Sequence, residues 1–369
     1  MIYLDSAATS LLKPPEVGRA VLRAMKNCAS PGRGIHAPAM RAAETVYACR
    51  EEAAALFNVP KTENVVFTMN ATHALNIAIR SLVKKGDRVV VSGYEHNAVV
   101  RPLHDIGAEM DVVQAHLFDT ASLLDGFRRK IPGANAVVCT HVSNVFGYIL
   151  PVAEIASMCS ENAVPLIVDA SQSAGILDID FDKLGAEYCA MPGHKGLLGP
   201  QGTGILLCRS GGMPLMFGGT GGMSDSPLMP EELPDRLEAG THNVCGIAGL
   251  REGIRFVRRI GSRQIIRKEA ALTNMLADGL SGIDGLSVIT PVKGNRSAIV
   301  SVIPMNMSCE ELAAGLGRSG TAVRAGLHCA PQAHRTAGTA DTGTVRFSIS
   351  FFNTPQEIAK ALEQVKKIL

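Results

Sequence analysis

Residues 164–196 hold Val164-Pro165-Leu166-Ile167-Val168-Asp169, then Ala170-Ser171-Gln172, and later Glu187-Tyr188-Cys189-Ala190-Met191-Pro192-Gly193-His194-Lys195-Gly196. The first run is a short apolar strand that ends on an aspartate. The second is another apolar strand, and it ends in a glycine-lined turn carrying a lysine. Apolar runs of this length, closed by turn residues, read as strands. Outward from this pair the pattern repeats. Val65 to Met69, Arg88 to Ser92, Met110 to Ala115, Ala136 to His141 and Gly204 to Cys208 are further strand-like runs, with helical patterns between several of them, as at Thr72 to Val83 and Val152 to Asn162. Strands alternating with helices predict an α/β fold with a mostly parallel seven-stranded sheet covered on both faces.

Toward the N-terminus, residues 16 to 58 read as two helices around the loop Ser30-Pro31-Gly32-Arg33-Gly34-Ile35-His36. Residues 211–243 are rich in Gly, Pro and Met, as functional loops and plain connectors both are. Beyond residue 246 the pattern changes to helices at 246–260 and 262–281, strands near 286–290, 297–303, 321–325 and 344–350, and helices near 308–319 and 355–368. A smaller α+β domain is expected there. The expected division is 16–245 for the large domain and 1–15 plus 246–369 for the small one.

The 369 residues are 46% apolar, enough for a substantial core, and the formal net charge of +2 gives no electrostatic steer. With no tryptophan, 4% aromatic residues and no basic run, stacking platforms and phosphate-tracking stripes for nucleic acid are not expected. No apolar stretch reaches 18 residues, so no membrane span is expected, and the start Met1-Ile2-Tyr3-Leu4-Asp5 has no basic leader. The nine cysteines form no CxxC pair, which fits reduced thiols in a cytoplasmic protein better than disulfides or a metal site. Cys139, Cys189 and Cys208 lie in apolar strand runs and read as small buried hydrophobes.

A strand-end aspartate and a loop lysine are the two side chains that pyridoxal phosphate requires. The amine forms a Schiff base with the aldehyde, and the carboxylate keeps the pyridinium nitrogen protonated so that the ring accepts electrons. Lys195 and Asp169 sit where open α/β sheets bind ligands, outside the carboxyl ends of the strands. Taken alone, a lysine is usually a solvated surface group and an aspartate a cap or turn residue. Paired with Lys195, Asp169 becomes the pyridinium partner and Gln172 reaches the phenolic oxygen.

Other positions admit two readings each. Asn70-Ala71-Thr72-His73 joins a strand to a helix, so Thr72 reads as an N-cap, and the same free N–H groups would bind a phosphate. His96 follows Ser92-Gly93-Tyr94-Glu95 at a strand end, either structural or stacked on an aromatic cofactor as an acid or base. Arg346, in Thr344-Val345-Arg346-Phe347-Ser348, either faces solvent or clamps a substrate α-carboxylate. Cys329 lies in a short loop, Val323-Arg324-Ala325-Gly326-Leu327-His328-Cys329-Ala330-Pro331, where Arg324 and His328 would favour thiolate.

Together these stretches resemble the cysteine desulfurase/selenocysteine lyase family, fold-type I enzymes of the class V aminotransferase group, over nearly the whole chain. The likeness starts at Tyr3-Leu4-Asp5-Ser6-Ala7-Ala8-Thr9 and runs through Arg33-Gly34-Ile35-His36, Glu95-His96-Asn97 and Thr140-His141-Val142-Ser143-Asn144. It continues through Val168-Asp169-Ala170-Ser171-Gln172, Gly193-His194-Lys195 and Glu238-Ala239-Gly240-Thr241, and ends with Arg324 to Ala330 and Arg346.

The resemblance implies that pyridoxal 5'-phosphate is held by Lys195 as a Schiff base, with His96 stacked on its ring, Asp169 on its nitrogen and Gln172 on its phenolic oxygen. Ala71, Thr72 and His194 would hold the phosphate, joined by Thr241 from the other subunit of a homodimer. Asn144 and Arg346, with Arg324 beside them, would receive the substrate carboxylate, and Cys329 would be the acceptor thiol. L-cysteine or L-selenocysteine is the implied substrate and a sulfur-acceptor protein a possible partner; no metal is implied. Pro192 stands where many relatives have a serine, His73 where a glutamate is common and Leu327 where a histidine is common. The segment Gln332-Ala333-His334-Arg335-Thr336 departs from the best-known desulfurases. The implied reaction converts L-cysteine to L-alanine and leaves a persulfide on Cys329. The alternatives are selenocysteine lyase, another class V reaction such as transamination, and a sulfur-relay scaffold without turnover.

Overall fold

A computed structural model of the chain describes residues 1–32, 34–221 and 225–369, so Arg33 of the quoted motifs lies outside the described residues. Its strands in chain order are β1 (Ile2–Tyr3), β2 (Val65–Thr68), β3 (Arg88–Ser92), β4 (Glu109–Val113), β5 (Ala136–Thr140), β6 (Leu166–Asp169), β7 (Tyr188–Pro192), β8 (Gly204–Cys208), β9 (Leu286–Ile289), β10 (Ile299–Pro304), β11 (Thr321–Ala322), β12 (Arg324–Gly326) and β13 (Thr344–Ser348).

β5 to β8 are buried along their whole length, as strands covered on both faces must be. Their side chains alternate between two cores. Val137, Cys139, Leu166, Val168, Cys189 and Met191 enter one. Val138, Ile167, Tyr188 and Ala190 enter the other. The sheet order is β2-β8-β7-β6-β5-β3-β4, with β8 antiparallel to both neighbours and the remaining pairs parallel. This is the mostly parallel seven-stranded sheet expected from the sequence. Burial pushes the Cys139, Cys189 and Cys208 thiols up, which makes them inert hydrophobes.

The second sheet, β12-β13-β10-β9, is antiparallel throughout. Val300, Val302, Val345 and Phe347 pack beneath it against the helices Ser262–Ser281, Cys309–Arg318 and Pro355–Ile368. Helix Val244–Ile260 instead gives Val244, Ile247, Leu250 and Ile254 to the core of the large sheet. The N-terminus joins the smaller unit, since β1 pairs with β11 in parallel and Asp5 bridges to Ser348.

The expected single strand at 321–325 is two strands, split at Val323. β11 pairs with the N-terminus and β12 with β13, so the two halves belong to different sheets. Both partners are remote in sequence, and no local pattern announces such a split.

Candidate active site

The carboxyl ends of β3, β5, β6 and β7 lie at one edge of the parallel sheet, and each carries a candidate residue in the loop that follows. Asp169 is the last residue of β6, and its Oδ1 accepts the Ser171 N–H at 2.9 Å. Lys195 follows β7, in a turn where Gly193 N–H donates to the Thr203 carbonyl at 2.8 Å. Two glycines bring these loops together. A Cβ on Gly175, whose φ is +80°, would stand 2.4 Å from the Gly196 carbonyl oxygen, and one on Gly196 would stand 2.3 Å from that of Ala174. No other residue permits this approach.

Burial pulls the Lys195 ammonium down to about 8; Asp169 pulls it back up, while Arg346 and Arg324 lower it further. These four charges share one neighbourhood. His96 caps helix Asn97–Ile106 through Nδ1, which accepts the Ala98 N–H at 3.0 Å. Burial holds His96 down to about 4, offset in part by Asp169 and reinforced by Lys195 and Arg324. His194 is likewise held down to about 4, by burial first and then by Lys195 and Lys13; its Nδ1 contacts Thr9 Oγ1 at 3.0 Å. Both imidazoles are therefore neutral at physiological pH and can act as donors or acceptors without adding charge.

A continuous set of contacts ties the other candidates to the His96 loop. Arg346 is 1% exposed, which rules out the solvent-facing reading. Its Nη2 donates to Asp5 Oδ1 at 2.7 Å and its Nη1 to the Asn144 carbonyl at 3.0 Å. Asn144 Nδ2 donates to the His328 carbonyl at 2.8 Å, and the Asn97 N–H, next to His96, donates to the Cys329 carbonyl at 2.8 Å. His328 and Cys329 have φ of +50° and +56°. Two successive non-glycine residues in the left-handed region are strained, and the contacts from Asn97 and Asn144 hold them there. The Cys329 side chain is exposed. Arg324, exposed on β12, lies opposite Arg346 in register.

One expected contribution is corrected. His328 is buried, its Nε2 bonded to the Thr344 carbonyl and hydroxyl, and burial, followed by Arg346, His334 and Arg324, holds it down to about 2. A neutral ring cannot favour a thiolate by charge, so Arg324 alone of the two expected neighbours is a cation.

At the other end of the site, the cap of helix Ala71–Leu82 is Asn70 rather than Thr72: Asn70 Oδ1 accepts the His73 N–H at 2.9 Å. Ala71 and Thr72 thereby become the first two helical residues, whose N–H groups have no intrahelical partner. Gln172 is buried and donates from Nε2 to the Ala7 carbonyl at 3.0 Å. Thr241 is exposed and lines a groove with Pro31, Tyr47 and Gly240 rather than the surroundings of Lys195.

The segment before Thr241 is anchored by Glu238, which is buried against Arg50. Arg50 Nη1 and Nη2 donate to its two oxygens at 2.8 and 2.9 Å, and the Phe67 N–H and His242 Nε2 complete the cluster. Burial pushes the Glu238 carboxyl up, but Arg50 and His242 outweigh it and the net shift is downward. Removing one partner of a buried pair strands the other charge. Arg50→Met is therefore expected to destabilise the protein by about 3–5 kcal/mol, read as a lowered denaturant midpoint.

Two residues without an assigned role also belong to the site. Asp5 neutralises Arg346. Glu95 is wholly buried, with Oε1 held by Ser92 Oγ at 2.5 Å and by the Thr140 N–H at 2.9 Å. Burial raises its carboxyl to about 8 against those two hydrogen bonds, with Asp169 raising it further, so it sits beside Asp169 without adding a second negative charge. Nothing local in the sequence distinguishes Glu95 from a surface acid ahead of a helix.

The family model described as Aminotransferase class-V matches residues 2–361. A probable cysteine desulfurase of Methanothermobacter thermautotrophicus is 35% identical over all of this chain and 94% of its own length. One of Pyrococcus abyssi is 30% identical with the same coverage. The apo structure of the cysteine desulfurase from Thermococcus onnurineus NA1 superposes with a TM-score of 0.91 at 30% identity, covering 99% of this chain and 94% of that one. The cysteine desulfurase CsdA of Escherichia coli, in an S-sulfonic acid form, gives 0.86 at 25% identity over 99% and 94%. The chain belongs to the class-V aminotransferase family, where relatives along its full length are named cysteine desulfurases.

Proposed function

We propose that this class-V aminotransferase family member is a pyridoxal 5'-phosphate-dependent cysteine desulfurase, converting L-cysteine to L-alanine and storing the sulfur on Cys329. The observation that carries this reading is the unbroken contact path from Arg346 through Asn144 and His328 to Cys329 and on to the His96 loop, beside the Lys195–Asp169 pair. A carboxylate clamp, a reactive thiol and an amine with a depressed pKa are what the reaction requires.

The residues fit the cofactor. Lys195 is a half-buried residue whose amine is held down to about 8 by desolvation, suited to bond an aldehyde. Asp169 is a buried carboxylate whose charge suits a protonated ring nitrogen, and the free N–H groups of Ala71 and Thr72 suit a phosphate. Gln172 and His194 complete the set, with Thr241 reaching the phosphate from a second copy of the chain. Since Pro192 has no N–H and no hydroxyl, that end depends on the helix N-terminus and His194. When bound, the cofactor draws electron density from the substrate α-carbon, which acidifies the α-hydrogen and weakens the Cβ–S bond.

In the proposed reaction Arg346 and Asn144 orient the substrate carboxylate. Lys195 Nζ takes the α-proton and returns it during turnover. The Cys329 thiolate attacks the substrate sulfur, so that an S–S bond forms as the Cβ–S bond breaks. The electron pair stays with the carbon fragment, which is protonated and leaves as alanine. A thiol or an acceptor protein then reduces the persulfide. Nine free cysteines support a reducing, cytoplasmic setting, and among the described residues no helix is long and apolar enough to cross a membrane.

The test is to load the protein with the cofactor and supply L-cysteine or L-selenocysteine, measuring alanine together with sulfide or selenide. Comparable or faster release from L-cysteine is expected. Release almost only from L-selenocysteine would replace this reading with selenocysteine lyase, and keto-acid formation with an amino acceptor would replace it with transamination.

A further inference from the structure

Lys195 and Gln172 also reach a small enclosed space that none of the other candidate residues lines. Its volume is about 40 Å³, with Lys195, Ser6, Ser348, Ile265, Phe351 and Glu269 in its wall. His96, Asn144, Cys329 and Arg346 do not line it. Glu269 projects inward from helix Ser262–Ser281 and is 4% exposed, and its Oε2 has no hydrogen-bond partner. The Ser6 hydroxyl, in the same wall, has none either.

Buried polar atoms are paired, with water if not with protein, because an unpaired one forfeits its solvation without return. The space is large enough for water. A single molecule needs roughly 10–15 Å³ of this volume and two to four polar partners. Two or three fit, and the serines, the carboxyl and the amine supply the partners.

We infer that ordered water in this cavity connects Glu269 to Lys195, so that the carboxyl is a proton store on the side of the lysine away from substrate. One proton moves. Where Glu269 is ionised, as the pH nears 8, Lys195 Nζ passes a proton taken from substrate through the waters to its carboxylate, and the reverse transfer returns it; only N–H and O–H bonds change. The use of the store in turnover rests on the desulfurase reading, while the connection itself belongs to the protein alone.

The energetics support an easy exchange. Burial raises Glu269 to about 8 against the Phe351 amide and the Lys268 ammonium, and Lys195 is brought down to about 8. Lys268 lies 4.6 Å above the Phe351 ring, outside the cavity lining. The other charges facing the pair are Asp169, Arg346, Arg324 and Asp5, all on the Lys195 side. Among the described residues, no other titratable side chain lines the cavity.

Infrared difference spectra of the cofactor-free protein, taken across a pH series, test the connection. The wild type should show a protonated-carboxyl band that vanishes near pH 8. Glu269→Gln should lack the band. Lys195→Met, which removes the amine at the other end of the water path, should move its midpoint upward. A midpoint unmoved by Lys195→Met would make Glu269 an isolated acid and overturn the inference. If Glu269→Gln does not fold, the comparison of wild type with Lys195→Met still decides.

In the cofactor-loaded enzyme, Glu269→Gln should lower kcat for L-cysteine about tenfold, with KM kept and the alkaline rise of the pH profile displaced. An unchanged profile would overturn the relay. A wild type inactive on L-cysteine would overturn the desulfurase reading and leave the infrared result standing.

Discussion

Cys329→Ala is expected to abolish sulfur transfer from L-cysteine, lowering alanine and sulfide release on the order of a thousandfold or more while cofactor absorbance is unchanged. The two effects separate because the hydrogen bond that ties Cys329 to the His96 loop is made by its backbone, where its carbonyl accepts the Asn97 N–H. Alanine keeps that carbonyl. It gives up only the sulfur, which is exposed and makes no packing contribution to either core. Mass spectrometry after a single turnover should find 32 Da added to the wild type and none to the variant, the mass of one sulfur atom. Desulfuration retained in Cys329→Ala would remove the thiol from the mechanism.

L-selenocysteine sharpens the same experiment. A C–Se bond breaks more readily than a C–S bond and needs less help from an attacking thiolate. Cys329→Ala is therefore expected to keep more of its activity on L-selenocysteine than on L-cysteine. Equal losses on both would mean that the thiol does more than accept the chalcogen.

The legibility of this protein in its sequence follows the range of each interaction. The large sheet could be read because β5 to β8 are buried on both faces and are therefore apolar without interruption, a property each segment carries by itself. The positions of Asp169 and Lys195 could be read because one ends such a strand and the other lies in the turn after one. The split at Val323 could not, because β11 and β12 are defined by β1 and β13, more than a few residues away in either direction. The sign of the His328 effect could not be read for a similar reason. In the sequence it is a histidine next to a cysteine, and only its burial against Thr344 shows that the ring is neutral. Thr72 lost the cap position to Asn70, two residues earlier, because the Asn70 side chain and not the Thr72 hydroxyl reaches a free N–H of the first turn. Glu269 gave no signal at all, because an acid in an amphipathic helix is ordinarily on the solvated face and only the packing of that helix against Phe351 turns it inward.

Lys195→Ala is expected to remove the Schiff-base absorbance and to lower turnover at least about ten-thousandfold, since the proposed bond to the cofactor and the proposed proton acceptor would disappear together. In the wild type the pH profile should rise toward about pH 8, because the amine works as a base only when neutral and burial sets its midpoint there. With an unperturbed midpoint of 10.5 the neutral fraction at pH 7 would be about three in ten thousand; near 8 it is about one in ten.

That gain in reactivity has a cost in stability with a definite sign. The folded midpoint lies below the unfolded one, so cofactor-free wild type is penalised most below about pH 8, where both states hold the proton, and the penalty fades as pH rises toward 10.5. Lys195→Met keeps the aliphatic stem and discards the charge. In cofactor-free form it should be more resistant to denaturant than wild type at pH 7, and the difference should shrink as pH approaches 10.5. A difference that does not depend on pH would mean that the ammonium is not the source of the penalty. The amine would then be solvated like any surface lysine and too basic at neutral pH for the role assigned to it.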